Sequence, residues 1–348
     1  MYGAPKTWNF ILIGAVLLFG FVLPRFLPVY FVYLGNVLMT YVVLAIGLDL
    51  VLGWSGQFAF AHIAFFGVGI YGTALLYKWY NISLVFGLPL TAVLAGIIGW
   101  LIAIPSTRLR TVYLALATYA FAECAQWVYR TWDAVTGGSD GLRISPPNVL
   151  GYVTGTDPSA FPVMTVIMCL MLLGMLFLTK SKLGREFCAI RDSEHVAAAS
   201  GINIKRTKAI AFTLSAVYAG VAGGMYTLFN SFVNPDVLGM AQLVLVLTMV
   251  VVGGSGSIIG VLLGTVIIGL LPEILRAAPA KVLVWQEFLY GVILILTVMF
   301  LPRGIWGMID AWLNALSVGT KWQKHTAGRE SGRAHTPEST FDTSASRP

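Results

Sequence analysis

Charged side chains are scarce in this 348-residue sequence. Asp, Glu, Lys and Arg make up 11% of it, against about 25% in an average soluble domain. Hydrophobic residues make up 57%, and apolar runs recur along the whole chain. Runs of about 20 apolar residues match the thickness of a bilayer core. The composition therefore excludes an ordinary soluble domain and predicts an all-α, polytopic integral membrane bundle.

The sequence also lacks the patterns that common catalytic and metal sites need. Its three cysteines, Cys124, Cys169 and Cys188, are far apart and form no CxxC pair, which indicates neither a zinc site nor a disulfide framework. No HExxH or GxSxG pattern lies within an apolar run, which argues against a membrane-embedded hydrolase. The G-x-x-x-x-G-K-[ST] pattern is missing, which argues against an ATPase. We expect no catalytic residue, no metal and no cofactor.

The apolar segments predict eight to ten membrane-spanning or re-entrant helices. We place them at about 8–24, 30–52, 58–80, 84–104, 112–131, 160–179, 209–229, 237–253, 257–275 and 283–301. Residues 1–310 are then one transmembrane domain. Residues 311–348 are rich in Ser, Thr, Pro and charge, which predicts a disordered cytoplasmic tail.

One charged stretch interrupts the apolar runs, and we name residues 181–208, "SKLGREFCAIRDSEHVAAASGINIKRTK", the central charged segment. It holds nine of the 37 charged residues. If the segment is cytoplasmic and the ten helices alternate, 16 of the 22 Lys and Arg residues lie inside and six outside. Basic residues collect on the cytoplasmic side, so this orientation is favoured, with both termini inside. It also explains the net charge of +7 without nucleic-acid binding.

The central charged segment has the pattern of one amphipathic helix or of two short ones. One apolar stripe about 100° wide would contain Leu183, Phe187, Ile190, Ala197, Ala198 and Gly201. Glu194 falls inside that stripe, which two short helices would explain better. Gly201 can end the second helix in a left-handed conformation. The segment can lie on the membrane surface, pack on its own bundle or dock on a partner.

A few polar or glycine positions inside the apolar runs are candidates for a translocation pathway. Ionisable groups in a span are costly and need partners or water, and glycines permit broken helices that expose backbone groups to a solute. The candidates are Gly56, Gln57, His62, Gly67 and Glu123. The alternative is that these side chains form hydrogen bonds between helices and that the glycines allow close packing. Asp49 is expected to support the neighbouring "GWSG" turn.

Two further loops stand out. "TGGSDGL" at 136–142 lies in the longest outer connection, where Ser139 and Asp140 either contact another protein outside the membrane or simply cap a turn. "GWSGQ" at 53–57 and "GGSGS" at 253–257 are similar turns 200 residues apart. They indicate either an internal duplication or two unrelated helix connections.

Several ordered blocks resemble one family. "AIRDSEHVAAASGINIKRTKAIAFTLSAVYAGVAGGMY" is similar to the cytoplasmic loop by which ABC-importer permeases dock on their ATPases. "GLDLVLGWSGQFAFAHIAFFGVGIYGTALL" at 47–76, "TRLRTVYLALATYAFAE" at 107–123, "TGGSDGL", "SKLGREFCAIRDSE" and "VVVGGSGSIIGVLLGTVII" resemble LivM-type permeases of branched-chain amino acid importers. The resemblance covers roughly residues 40–305.

The resemblance implies a non-catalytic transport subunit in the bacterial inner membrane. Its implied partners are two cytoplasmic ATPases, a LivH-like second permease, an extracytoplasmic amino-acid-binding protein and membrane lipid. The implied ATPase-docking residues are Arg191, Asp192, Glu194, Ala197, Ala198 and Gly201. Two alternatives remain: an importer of urea or short amides, and an ion-coupled secondary transporter with His62, Asp49 or Glu123 as its proton site.

Overall fold

A computed structural model describes residues 24, 26–106, 109, 111–144, 148–149, 152–153, 157–276, 285–301 and 304–310. The chain divides into two compact units, Met1–Trp306 and Gly307–Pro348. Of the second unit only residues 307–310 are described, and they are helical. The predicted helix at 8–24, except for its last residue, and the predicted tail lie outside the described residues. The boundary at residue 310 stays a prediction.

Between Val29 and Phe300, twelve α-helices carry nearly all of the regular structure in the described residues. They are α1 (Val29–Asp49), α2 (His62–Tyr80), α3 (Leu84–Ser106), α4 (Thr111–Thr131), α5 (Asp133–Thr136), α6 (Asp157–Lys180), α7 (Lys182–Asp192), α8 (Glu194–Ala199), α9 (Ile204–Phe229), α10 (Met240–Gly253), α11 (Ile258–Arg276) and α12 (Gln286–Phe300). A π-helical turn, Leu50–Trp54, continues α1. The predicted all-α bundle is confirmed.

Six of the described helices are long and apolar enough to cross a membrane. Five of them are Val29–Trp54, Val85–Pro105, Pro158–Lys180, Ile204–Phe229 and Ile258–Leu275, and the sixth begins at Phe288. The helix α10 is apolar but shorter. One predicted boundary is wrong: α9 begins at Ile204, before the predicted start at 209. The Asn203 side chain accepts a hydrogen bond from the Arg206 N–H at 3.1 Å, so this cap draws the basic residues into the first turn.

The centre of the bundle is α9, which packs against α1, α2 and α3. Small residues allow this. A Cβ atom on Gly69 of α2 would overlap the carbonyl oxygen of Gly220 of α9, and one on Gly223 would overlap the carbonyl oxygen of Phe66. In a bilayer, where lipid is as apolar as a side chain, close backbone contact of this kind is a main source of helix association.

In a second group of helices, α10 packs against α11 and α12, and both α10 and α11 contact α1. Here too glycines set the distance between backbones. A Cβ atom on Gly264 of α11 would overlap the Met249 carbonyl oxygen of α10, and one on Gly253 would overlap the Gly260 carbonyl oxygen. The helix α1 therefore contacts both groups and is well placed to link their movements.

Four two-residue strands lie in the connections. Leu142–Arg143 (β1) pairs antiparallel with Phe232–Val233 (β4), with Leu142 opposite Val233. Asn148–Val149 (β2) pairs with Tyr152–Val153 (β3). The β1–β4 pair ties the connection after α4 to the connection after α9, and it holds the 136–142 loop at that end of the bundle.

Candidate functional site

The central charged segment folds as two short helices, α7 and α8, joined at Ser193, and then enters the start of α9. The Ser193 backbone is extended, and its hydroxyl accepts a hydrogen bond from the Val196 N–H at 3.4 Å. A serine that leaves one helix and caps the next produces a sharp change of direction. After α8, Gly201 adopts a φ of 81°, and the Ile202 N–H bonds back to the Ala197 carbonyl at 3.1 Å. This is the left-handed helix end expected of Gly201.

The break at Ser193 separates residues that one continuous helix would have placed together. On α7, Phe187 and Ile190 are buried. On α8, Ala197 is buried at 2% exposure, whereas Ala198 faces outward. The single stripe from Leu183 to Gly201 is therefore not formed, because α8 starts in a new direction and its buried side is narrow enough to include Ala197 but not Ala198.

Two polar contacts fasten α7 and α8 to the first turns of α9. The Lys208 ammonium bonds to the Glu194 carboxylate at 2.6 Å, with side-chain exposures of 11% and 48%. The Thr207 hydroxyl donates to the Glu186 carboxylate at 3.0 Å. Glu194, which did not fit an apolar stripe, thus pairs with a cation at the start of the central helix.

Arg191 and Asp192, at the end of α7, lie next to each other but contact different surroundings. The Arg191 Nη1 donates to the Gly53 carbonyl oxygen at 3.0 Å. Asp192 accepts a hydrogen bond from the Arg191 Nε at 3.2 Å and is otherwise directed outward, at 70% side-chain exposure. Of the two, Arg191 faces the bundle.

The two glycine turns, residues 53–56 and residues 254–257, meet at this end of the bundle. Asp49 is 1% exposed. One of its carboxyl oxygens accepts the Gly256 N–H at 2.8 Å, and the other accepts the Trp54 indole N–H at 3.1 Å. Asp49 therefore supports the first turn as expected, and it also holds the second turn, which the sequence did not predict.

The pathway candidates at the start of α2 are enclosed by the chain itself. His62 is 3% exposed, and its Nε2 lies 2.9 Å from the Leu44 carbonyl oxygen, which can only accept. In the neutral ring Nδ1 then accepts from the Ser215 hydroxyl, at 2.8 Å. His62 thus joins α1, α2 and α9.

Gln57 and the two glycine candidates are also in close contact with other parts of the chain. Gln57 is buried and donates to the Ser55 hydroxyl at 2.6 Å. Gly56 has a φ of 68°, and a Cβ atom there would lie 3.0 Å from the Arg191 Cγ. A Cβ atom on Gly67 would lie 2.5 Å from the Tyr129 ring.

Glu123 has the opposite surroundings. It lies in the second half of α4 and is exposed, as are its neighbour Cys124 and Trp127 one turn later. The Tyr119 hydroxyl, one turn earlier, interacts with its carboxylate. The large apolar residues Val112, Leu116 and Trp127 share this open face. The structure brings Glu123 into no group with Gln57 or His62.

Ser139 and Asp140 are exposed at the opposite end of the bundle from the central charged segment, counted along the alternating helices. Their loop is tightly shaped: Gly137, Gly138 and Gly141 all have positive φ. Beside the loop, an ion pair between Arg130 and Asp236 at 2.8 Å joins the end of α4 to the connection after α9. The loop is therefore a defined, outward-facing surface.

Metal binding has no support in the part of the chain that the structure describes, where no group of three or more His, Cys, Asp or Glu side chains could hold an ion. What the arrangement offers is mechanical. The helices α7 and α8 are fastened to α9 and to the glycine turns, and α4 has one open face that carries large apolar side chains.

The family described as branched-chain amino acid transport system / permease component matches residues 30–298. The chain belongs to this family. The match spans every helix from α1 to α11 and most of α12, so the permease is a multi-pass membrane protein. No solved structure gives a significant match.

Curated relatives agree with the family. The permease is 28% identical over 296 residues to the high-affinity branched-chain amino acid transport system permease protein LivM of Escherichia coli K12, covering 78% of this chain and 69% of that one. It is 26% identical over 240 residues to the probable LivM permease of Methanocaldococcus jannaschii, covering 64% and 68%. It is also 28% identical over 286 residues to LivH of Escherichia coli K12, covering 77% and 91%.

The sequence did not reveal three features of this permease. Val196, at 65% exposure, is a large apolar residue of α8 that is not buried against the bundle. The Thr207–Glu186 hydrogen bond and the Asp49–Gly256 hydrogen bond join residues 21 and 207 positions apart. The one sign of the Asp49–Gly256 hydrogen bond in the sequence is that Asp49 lies in an apolar run beside a glycine-rich turn.

Proposed function

We propose that this permease is a non-catalytic membrane subunit of an ATP-driven importer for branched-chain amino acids. The observation that carries the proposal is the family match over residues 30–298, supported by relatives whose names state this transport. ATP hydrolysis belongs to separate subunits. The bundle passes substrate across the membrane by alternating between inward-open and outward-open arrangements.

The complete importer then contains a second permease, two cytoplasmic ATPases and an extracytoplasmic amino-acid-binding protein. The second permease is LivH-like. It is supported by the similarity of this chain to both LivM and LivH relatives, because two related chains can pair through similar surfaces around a pseudo-twofold axis. We place the assembly in a bacterial inner membrane with both termini cytoplasmic, on the strength of the 16 basic residues assigned to that side.

The ATPase docks on the outward side of the central charged segment. Val196, Ala198 and Gly201 are exposed there, and a Cβ atom on Gly201 would meet nothing within 4 Å. A small-residue surface beside one exposed apolar side chain suits a groove on a partner. Asp192 and Glu194 flank it. An Ala198→Arg variant should lose ATPase co-purification, whereas Ala197, which is buried, lies outside this surface.

The translocation pathway follows the open face of α4, between this permease and the second one. A carboxylate in the interior of a membrane-spanning helix is too costly to face acyl chains, and such residues face protein or water. At 21 residues α4 is long enough to span the membrane, although it is less apolar than the six helices named above. Glu123, in its second half, then faces protein or water. The buried positions Gly56, Gln57, His62 and Gly67 contribute to the pathway only by fixing the helices around it.

Cys124 provides a direct probe of this pathway. A charged, membrane-impermeant thiol reagent reacts with thiolate, which needs water. In the assembled importer Cys124 should be labelled, and labelling should fall when substrate-loaded binding protein is added. Cys169, which is buried, serves as the internal control. Absence of labelling at Cys124 would mean that this face of α4 meets lipid or a dry interface.

At the outer surface, Ser139 and Asp140 contact the binding protein. Their exposure and the fixed shape of the loop support this role, since a rigid docking surface loses little conformational entropy on binding. Substituting Asp140 with Lys should raise the binding-protein concentration needed for half-maximal uptake without changing uptake at saturation.

The experiment that tests the function is uptake by proteoliposomes containing the complete importer. Leucine uptake should require both ATP inside and the binding protein outside, and it should be unaffected by an uncoupler. Uptake by this chain without ATPases, abolished by the uncoupler, would establish the ion-coupled alternative. Uptake of urea or short amides in preference to leucine would establish the other alternative.

A further inference from the structure

Arg191 is turned toward the bundle although it belongs to the most charged segment of the chain. Its Nη1 donates to the Gly53 carbonyl oxygen, in the π-helical turn that ends α1, at 3.0 Å. Asp192 accepts a hydrogen bond from its Nε at 3.2 Å. The neighbouring carboxylate thus helps to aim the guanidinium at the end of α1. A planar guanidinium can hold two such acceptors at once.

The two glycine turns are in contact at the point where Arg191 binds. A Cβ atom on Gly53 would overlap the Asp49 carboxylate and the Gly256 nitrogen, and one on Gly256 would lie 3.1 Å from the Arg191 Nη1. Gly256 has a φ of 81° and donates its N–H to Asp49 at 2.8 Å. One residue of α7 therefore lies against the ends of both α1 and α10.

We propose that Arg191 is a positioning residue of the transport cycle: it fastens the central charged segment to both glycine turns, so that a displacement of the segment moves α1 and α10 together. This rests on the proposed function, because it takes an ATPase to displace the segment. The substrate is not touched by Arg191, which acts through the helices that it connects.

The remaining contacts of the segment make this role separable from folding. Lys208 and Glu194, and Thr207 and Glu186, fasten α7 and α8 to α9 without Arg191. Phe187 and Ile190 bury α7 against the bundle. Removing the guanidinium should therefore leave the segment in place and its outward docking surface intact. What is lost is the link to the ends of α1 and α10, so ATP hydrolysis continues while less substrate moves.

The test uses the complete importer in proteoliposomes and measures leucine taken up per ATP hydrolysed. We expect Arg191→Ala to lower this ratio about fivefold or more, the usual size of a coupling effect, with ATPase co-purification equal to wild type. Arg191→Lys, which keeps the charge but not the planar fork, should give an intermediate ratio. Arg185→Ala is the matched control, because Arg185 lies on the same helix and its side chain donates to the nearby Lys180 carbonyl oxygen.

Three results would overturn the proposal: an unchanged ratio in Arg191→Ala, a loss of ATPase co-purification that makes Arg191 a docking contact, or an equal fall in Arg185→Ala. If Arg191→Ala does not yield folded complex, Arg191→Gln decides in its place, and a ratio equal to wild type then overturns the proposal. A wild-type complex that shows no ATP-dependent uptake would instead contradict the proposed function, and this is measured before any variant.

Discussion

Helices α9 and α4 are both long enough to cross a bilayer, at 26 and 21 residues, but their surroundings are opposite. The most apolar stretch of α9 is 72% buried inside the chain. The helix α4 contacts α2 and the outer connections on one side and is open on the other. Polar groups around α9, such as His62 and Ser215, bond to each other, whereas Glu123 on α4 is exposed. A polar residue in a long helix therefore either bonds to a neighbouring helix or lies on an open face, and only its burial distinguishes the two cases.

The largest loss of stability is expected where the backbones of α2 and α9 are in contact. Gly69→Val places side-chain atoms against the Gly220 backbone, which cannot move aside, and should destabilise the bundle by about 3 kcal/mol. The thermal denaturation midpoint in detergent measures this. Gly291→Ala on α12 is the control, since its Cβ atom would meet nothing within 4 Å. An equal loss in both variants would remove the distinction between the tightly packed centre and the periphery.

The next largest loss of stability is expected at His62, a buried polar residue at the centre of the bundle. His62→Ala removes two hydrogen bonds and leaves the Leu44 carbonyl and the Ser215 hydroxyl without them, at a cost of about 1–3 kcal/mol. The same denaturation measurement applies, and exposed His195→Ala should change nothing. A His62→Ala protein that is fully stable but does not transport would instead place His62 in the pathway.

A smaller effect on stability and a larger one on function are expected at the open face of α4. Glu123→Gln should leave the denaturation midpoint within about 0.5 kcal/mol of wild type, as surface substitutions do, while ATP-dependent leucine uptake falls severalfold. Uptake and stability are measured on the same preparation. Unchanged uptake would show that the Glu123 charge is not needed, and a large loss of stability would show that Glu123 belongs to the structural group.

The smallest effect is expected at an apolar residue of the same open face. Leu116 is 60% exposed, so Leu116→Ala should cost less than about 0.5 kcal/mol in the isolated chain. Its counterpart is Leu228→Ala on α9, fully buried, for which about 2–5 kcal/mol is expected. A cost for Leu116→Ala that appears only in the complex with the second permease would locate that subunit on α4.

Sequence patterns predicted the helices well because hydrophobic length is a local property. Apart from the start of α9, the predicted segments from residue 30 onward lie within a few residues of the observed helices. The two short helices of the central charged segment and the left-handed Gly201 were also predictable, since serine caps and glycine ends act within a few residues. The direction of each side chain was not: Ala197 and Ala198 were expected on one surface and lie on two.

The candidate site shows the same division. That Asp49 supports the turn beside it could be expected from five residues of sequence, but its hydrogen bond to Gly256 could not. Arg191 was grouped with the ATPase-docking residues because it lies in a charged, cytoplasmic stretch, and its contact with Gly53 spans 138 positions. Contacts of this kind depend on which distant segments come together in the fold, and a local sequence pattern carries no such information.

The sequence by itself determined that this is a helical membrane protein, where its helices lie and which stretch is charged, because each follows from the length and composition of single segments. The tertiary structure alone decided which polar residues are enclosed and which are open, and that the two glycine turns meet beneath Arg191. The physical reason is that burial and partnership are properties of pairs of distant segments, and here glycines let those segments approach to backbone contact.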